Sequence, residues 1–135
     1  MAREIKFRAW DKEEKRFWYF TLQEILERRE SYRGSFDKTI LNEEKTQFTG
    51  LLDKNGKEIY EGDILRYYSD ARMVVPTKEH GWKLEGNSHL EERTSVKYSE
   101  SLGAYMVHEG SFYLHEINDK SEVIGNIFDN PDLLK

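Results

Sequence analysis

Asn55-Gly56, set between Leu51-Leu52-Asp53-Lys54 and Lys57-Glu58-Ile59-Tyr60, constrains the fold more than any other stretch of this chain. Both central positions of a type I′ turn take positive φ, and Asn followed by Gly is the pair that tolerates this best. Closing two strands on that turn sets Leu52 opposite Ile59. Asp53–Lys57 and Lys54–Glu58 then lie as opposite-charge diagonals. A chain with this element near its middle is expected to be built on antiparallel strands.

The flanking sequence supports that expectation. Ile5, Phe7 and Ala9 alternate with Lys6, Arg8 and Trp10, which is the period of a strand with one apolar face. The charged run Asp11-Lys12-Glu13-Glu14-Lys15-Arg16 connects it to Phe17-Trp18-Tyr19-Phe20, giving a second hairpin. Thr21-Leu22-Gln23-Glu24 has the spacing of a capping box, in which the Thr hydroxyl takes the amide three residues on and the Glu reaches back. A helix follows, with Leu22, Ile25 and Leu26 on one face, and it fades near Glu30. Residues 31–45 read as irregular, anchored by Tyr32, Phe36, Ile40 and Leu41.

Beyond the central hairpin, Glu61-Gly62-Asp63 is a tight polar turn. Strands are expected at residues 64–68, 94–98, 104–108, 112–116 and 122–124, a spacing that suggests a small barrel or sandwich. Residues 69–93 read as a surface insertion, with a short strand at Met73-Val74-Val75 stopped by Pro76 and with Trp82 and Leu84 docking back. Asn130 as N-cap and Pro131 at the first helical position predict a short C-terminal helical turn. The expected organisation is an N-terminal hairpin–helix element over residues 1–45 and a β-barrel over residues 46–135.

Composition removes several function classes. The 135 residues contain no Cys, which excludes a disulfide scaffold, a Cys nucleophile and any thiolate metal centre. Hydrophobic residues are only 37% of the chain, and the longest apolar run is Phe17–Phe20, far too short to span a membrane. After Met1-Ala2-Arg3-Glu4 no apolar signal core develops, so a cytoplasmic protein is expected. With 21 Lys and Arg against 26 Asp and Glu, the formal charge of −5 opposes general nucleic-acid binding while leaving room for a local basic patch.

Three blocks carry a family resemblance: Arg3-Glu4-Ile5-Lys6-Phe7-Arg8-Ala9-Trp10-Asp11, then residues 47–65 from Gln47-Phe48-Thr49-Gly50 to Asp63-Ile64-Leu65, then residues 122–134 from Glu122-Val123-Ile124-Gly125-Asn126 to Leu133-Leu134. In this order they resemble the YopX family of bacteriophage and prophage proteins. The resemblance implies an SH3-like β-barrel in the C-terminal part, a homo-oligomer (a dimer or trimer), and a place in the cytoplasm of a bacterial host. It brings no activity and no functional residue with it. The fold class expected is therefore mainly β (α+β), an SH3-like β-barrel preceded by a β-hairpin and one helix.

Candidate sites are few. Asp53-Lys54-Asn55-Gly56-Lys57-Glu58 has a faint likeness to a calcium loop, but its Gly falls at the fourth position between strands, so a hairpin is the better reading. Glu61 and Asp63 could share a metal or divide acid and base roles; at a turn they more simply cap backbone amides. His108-Glu109 and His115-Glu116 repeat without metal-site spacing, and no nucleophile or phosphate-loop motif occurs. No cofactor or metal is expected, and the chain reads as a non-enzymatic binding or assembly module. Lys6, Arg8, Trp10, Arg16 and Trp18 form the one cluster of alternating cations and aromatics. One reading is a nucleic-acid face that stacks bases and holds phosphates. The better one is structural, with the aromatics packed against the barrel and the cations reaching water or pairing with acidic residues. A subunit or partner face is a further candidate.

Overall fold

Alternation in the N-terminal segment becomes two paired strands, and the described structure is mainly β throughout. The computed structural model describes residues 5–26 and 44–135. Strands β1 (Lys6–Asp11) and β2 (Arg16–Thr21) form the first hairpin, followed by the short helix α1 (Leu22–Leu26). Then come β3 (Lys45–Leu52), β4 (Glu58–Tyr60), β5 (Asp63–Ser69), β6 (Met73–Pro76) and β7 (Trp82–Glu85). The rest is β8 (Leu90–Ser95), β9 (Lys97–Ser99), β10 (Ala104–Val107), β11 (Phe112–Tyr113) and β12 (Glu122–Asn126). Single 3-10 turns occupy His108–Gly110, Leu114–Glu116, Asn118–Lys120 and Pro131–Leu134. The expected end of the first helix near Glu30 and the anchors Tyr32, Phe36, Ile40 and Leu41 lie outside the described residues.

Among the described residues four antiparallel sheets run in the orders β2-β1-β3-β4, β12-β5-β8, β11-β10-β9 and β6-β7, and together they curl as a half-barrel. Its core is Ile59, Leu65, Tyr67, Val96, Val107, Leu114 and Ile117, with Leu51, Tyr105 and Val123 packed around them. The N-terminal hairpin joins this body directly, because Phe7, Arg8 and Ala9 of β1 pair with Gln47, Thr46 and Lys45 of β3. Phe7, Ala9 and Phe20 make a second small core on one face of that sheet. The capping box is present in part: Glu24 N donates to Thr21 Oγ1 at 3.2 Å, while the Glu24 carboxylate takes the Thr21 hydroxyl rather than the cap amide.

The central hairpin exists, in a different register from the expected one. Leu52 lies opposite Glu58, not Ile59, and of the two turn residues Gly56 alone has positive φ. Gly56 N donates to Asp53 O and Asp53 N to Lys57 O, which is a type I turn running into a glycine bulge. The cause is Asp53, whose Oδ1 accepts from Asn55 N at 2.8 Å and Lys57 N at 2.9 Å. Those two bonds hold the backbone in a turn that type I′ geometry would break.

Other strands end early for equally local reasons. The expected strand over residues 94–98 bends at Val96, which is fully buried and bonds to the 61–63 turn: its N–H goes to Asp63 O, and its carbonyl takes Gly62 N–H. The strand expected over 112–116 stops after Tyr113, where a 3-10 turn rolls Leu114 into the core. The stretch expected as a surface insertion over residues 69–93 divides: residues 90–93 already belong to β8 and pair with Arg66–Ser69 of β5, while Trp82 and Leu84 do not dock back. After β5, β6 pairs with β7 as an isolated ribbon, with Val74 opposite Leu84 and Pro76 opposite Trp82, and Trp82 is 72% exposed. The C-terminal turn forms with Pro131 first, but Asn130 makes no side-chain cap; its Oδ1 instead accepts from Asn126 N.

Candidate functional site

Strand pairing sorts the five candidate residues onto two faces. Arg8 lies opposite Tyr19 and Trp10 opposite Phe17, so Lys6, Arg8 and Trp10 share a face with Phe17, Tyr19 and Thr21. Arg16 lies opposite Asp11 and Trp18 opposite Ala9, which places them on the other face beside Phe7 and Phe20. The single stripe of five expected from sequence is therefore corrected. A two-residue period in each strand was legible, but which residue of β2 opposes which residue of β1 depends on the length of the connecting turn. That turn uses Lys12–Lys15, with Asp11 Oδ1 accepting from Glu13 N and Glu14 N, and Lys15 supplying a positive φ of 53°.

Neither face offers a row of solvent cations. Arg8 is 3% exposed and pairs with the equally buried Asp63 at 2.9 Å. Its guanidinium also donates to Thr46 Oγ1 at 3.2 Å and to Glu61 O at 3.1 Å. Phe17 and Tyr60 flank it, their ring centroids 3.9 and 4.8 Å away. Lys6 pairs with Glu58 and lies over the Phe48 ring. Trp10 is buried, stacked on Phe128 and edge-on to Phe17. On the other face Arg16 is exposed over the Trp18 ring, and the Trp18 indole donates to Asp11 Oδ2 at 3.0 Å.

The Glu61-Gly62-Asp63 turn is the junction into which Arg8 fits. Asp63 Oδ2 accepts from Tyr60 N at 2.8 Å, and Glu61 Oε2 accepts from Tyr98 N at 3.0 Å. Asp63 thus holds a backbone amide and the Arg8 ion pair, and the Glu61 carboxylate holds a backbone amide. Gly62 sits at φ +91°, where an L side chain is strained, and a Cβ there would press on the Phe128 ring at 3.2 Å and lie 3.7 Å from the Arg8 guanidinium. Burial pushes the Asp63 carboxyl above its ordinary value, against the pull of Arg8 and of the Tyr60 amide. Burial likewise pushes the Tyr60 phenol up to about 12, with Glu58 adding to the shift and Lys6 opposing it. A cleft of about 410 Å³ opens beside this cluster, lined by Arg8, Tyr19, Lys57, Tyr60, Asp63 and Asn126.

A second junction was not singled out in the sequence. Asp53 is buried and accepts a third amide, Val123 N, on Oδ2 at 3.0 Å, so one carboxylate ties the hairpin tip to β12. Burial raises its pKa, but the Val123, Lys57 and Asn55 amides outweigh that and hold it below the usual value. An Asp two residues before Asn-Gly could have signalled the turn type; nothing in the sequence signalled the contact with residue 123. Among the described residues no three His, Cys, Asp or Glu side chains gather as a metal site, and no helix is long and apolar enough to cross a membrane.

The largest departure from ordinary surface chemistry lies elsewhere, on the β6–β7 ribbon. Val74, Pro76, Trp82 and Leu84 share one of its faces, since they form the cross-strand pairs Val74–Leu84 and Pro76–Trp82. All four are exposed, and no residue from 70 to 93 is buried.

Comparison with known proteins adds a family and a fold. The crystal structure of protein EF1440 from Enterococcus faecalis is similar over 99% of this chain and 100% of that one, with a TM-score of 0.56 and 24% sequence identity. At that identity the likeness speaks for the fold alone. A comparison with curated protein sequences finds no match. The sequence model describing the YopX protein matches residues 6–135, which takes in β1 through the C-terminal turn and both junctions, and the chain belongs to the YopX family.

Proposed function

We propose that this chain is a non-enzymatic phage-type assembly module that self-associates and acts in the bacterial cytoplasm. The observation that carries this is the exposed apolar face of the β6–β7 ribbon, where Trp82 and Leu84 are 72% and 56% exposed and Val74 is 61% exposed. Isolated exposed apolar residues are ordinary, whereas four on one face of a projecting two-stranded ribbon are the composition of an interface. A two-stranded ribbon is marginal by itself and gains stability from being covered.

The connectivity is in keeping with an SH3-like half-barrel as the platform: beyond the ribbon β5 is followed by β8, β9 and β10, and after β11 and three 3-10 turns β12 returns onto β5. The placement of the N-terminal cations favours assembly over nucleic acid. Arg8 is committed to Asp63 and Lys6 to Glu58, so neither is a ready phosphate ligand.

Sedimentation equilibrium of the full chain at micromolar concentration tests the proposal. A discrete multiple of 16.1 kDa is expected, and a stable mass of one chain would overturn it. Anisotropy of a labelled single-stranded DNA, titrated at physiological salt, is expected to stay flat. Salt-sensitive micromolar binding lost in a Lys6→Ala/Arg16→Ala variant, which leaves the buried Arg8–Asp63 pair intact, would put the nucleic-acid reading first.

A further inference from the structure

The ribbon has two outer edges, and they are not equivalent. Backbone bonds from Ala71 N to Asn87 O and from Thr77 N to Gly81 O mark two hydrogen-bonded cross-strand pairs. Bonded and non-bonded pairs alternate in an antiparallel ladder, so Met73–Glu85 and Val75–Lys83 are bonded pairs as well. Val74–Leu84 and Pro76–Trp82 are then the non-bonded pairs, and the main-chain groups of these four residues point outward. On the β6 edge Pro76 has no N–H to offer, which blunts that edge. On the β7 edge Trp82 and Leu84 both present N–H and C=O. Among the described residues β6 and β7 pair with each other and with no further strand.

The sequence of β7 is complementary to itself. In Trp82-Lys83-Leu84-Glu85-Gly86, an antiparallel copy centred on Leu84 brings Leu84 to Leu84, Lys83 to Glu85 and Trp82 to Gly86. The Lys83–Glu85 matches occur twice, on the face opposite the apolar one. Within one chain these two side chains already meet at 3.2 Å, more than half exposed, where a solvated pair contributes little. Across the pairing, each charge gains a second opposite neighbour.

We propose that two copies of the chain join antiparallel through β7 about a two-fold axis at Leu84, making one four-stranded sheet from two ribbons. The pairing rests on the self-association reading and specifies its geometry. The axis makes the contact isologous, so the complex closes at two copies. Val74, Pro76, Trp82 and Leu84 of each copy merge into one apolar surface whose centre is the Leu84 pair.

Three variants of the full chain test this, each checked by circular dichroism for an unchanged fold. Lys83→Glu alone and Glu85→Lys alone place like charges opposite each other twice, and each is expected to weaken the dimer about tenfold or more. Lys83→Glu/Glu85→Lys together restores opposite pairs and is expected to return the parent dissociation constant. Leu84→Cys provides an independent measurement, because the parent has no cysteine. Directly opposed residues of a bonded pair lie about 5.5 Å apart between Cα atoms, within reach of a disulfide. Mild oxidation should therefore give a covalent dimer from Leu84→Cys and none from Val74→Cys on the blunted edge. A parent that sediments as one chain overturns this pairing and the self-association reading together. An oligomer that ignores both charge variants and leaves Leu84→Cys uncrosslinked overturns the β7 pairing alone, as does a trimer.

Discussion

The Arg8–Asp63 junction and the β6–β7 ribbon invert the usual division of residues between inside and outside, in opposite directions. The junction buries an ion pair between two aromatic rings and completes it with Thr46, the Glu61 carbonyl and the Tyr60 amide. Among the described residues no buried side-chain polar atom lacks a hydrogen-bond partner, so the cost of taking those charges from water is offset by a filled set of bonds. The ribbon does the reverse: among the described residues Trp82 and Leu84 stay mostly exposed. The difference teaches where each region's work is done. The junction joins β1, β3, β4 and β5 within one chain, whereas the ribbon has contact surface to spend outside it.

Removing one member of the junction should have the largest effect of any single change. Arg8→Ala leaves Asp63 buried without its cation, and Asp63→Ala leaves the guanidinium without its anion. Each is expected to destabilise the fold by about 3–5 kcal/mol, measured by urea denaturation. Replacing both at once, Arg8→Met with Asp63→Leu, removes the uncompensated charge and should recover a large part of that loss. A single variant within about 1 kcal/mol of the parent would show that water reaches the pair, and the contrast with the ribbon would collapse.

Gly62→Ala sharpens the same side of the comparison without touching a charge. It forces a side chain into positive φ and against Phe128, and about 1–3 kcal/mol of destabilisation is expected by thermal melting. At the hairpin tip, Gly56→Val should cost toward the lower end of that range. Gly56 also has positive φ, but nothing lies within 4 Å of the added Cβ.

Asp53 brings pH into the comparison. Its folded-state pKa lies below the ordinary 3.8, so its stabilisation is complete above the unfolded value and is lost as pH falls through the folded one. Asp63 is shifted upward, so it acts with the opposite sign: its charged form is disfavoured by folding, and that penalty fades as the pH drops. Asp53→Asn, which turns an amide group toward the Val123 N–H, is expected to cost about 1–2 kcal/mol at pH 7. In stability curves from pH 6 to pH 2 the gap between parent and variant should close on the acid side. A gap that stays constant would mean that the Asp53 charge contributes nothing.

Local patterns were legible in the sequence where neighbouring residues decide the outcome. Alternation located β1, the apolar run Phe17–Phe20 after a charged connection located β2, Thr21 and Glu24 located the start of α1, and Asn55-Gly56 located a hairpin. The register of both hairpins was not legible, for a shared reason: a carboxylate next to each turn captures backbone amides and resets the count. Asp53 does this at the tip, and Asp11 does it in the 12–15 turn. A one-residue change at a turn moves every later side chain relative to its partner. Long-range ties such as Arg8 to Asp63 and Asp53 to Val123 leave no local trace, since their partners are 55 and 70 residues away along the chain. The ribbon departs from expectation because Trp82 and Leu84, apolar residues in a polar segment, stay exposed instead of docking. Nothing local tells a docked tryptophan from one held out for another molecule.

The smallest expected effect is the most informative about the ribbon. Trp82→Ser removes the largest exposed side chain, and a mostly exposed surface residue changes intramolecular stability by no more than about 0.5 kcal/mol. The parent and the variant should therefore melt together when the protein is dilute enough to be monomeric. At higher concentration the two should separate, because a partner that binds the folded chain and not the unfolded one raises its melting temperature by mass action. The parent's melting temperature should climb with concentration while that of Trp82→Ser stays level. Parallel curves at every concentration would mean that the ribbon meets no second copy. A large loss already present in dilute solution would mean that Trp82 packs against its own chain, which would place the ribbon with the junction as an internal element.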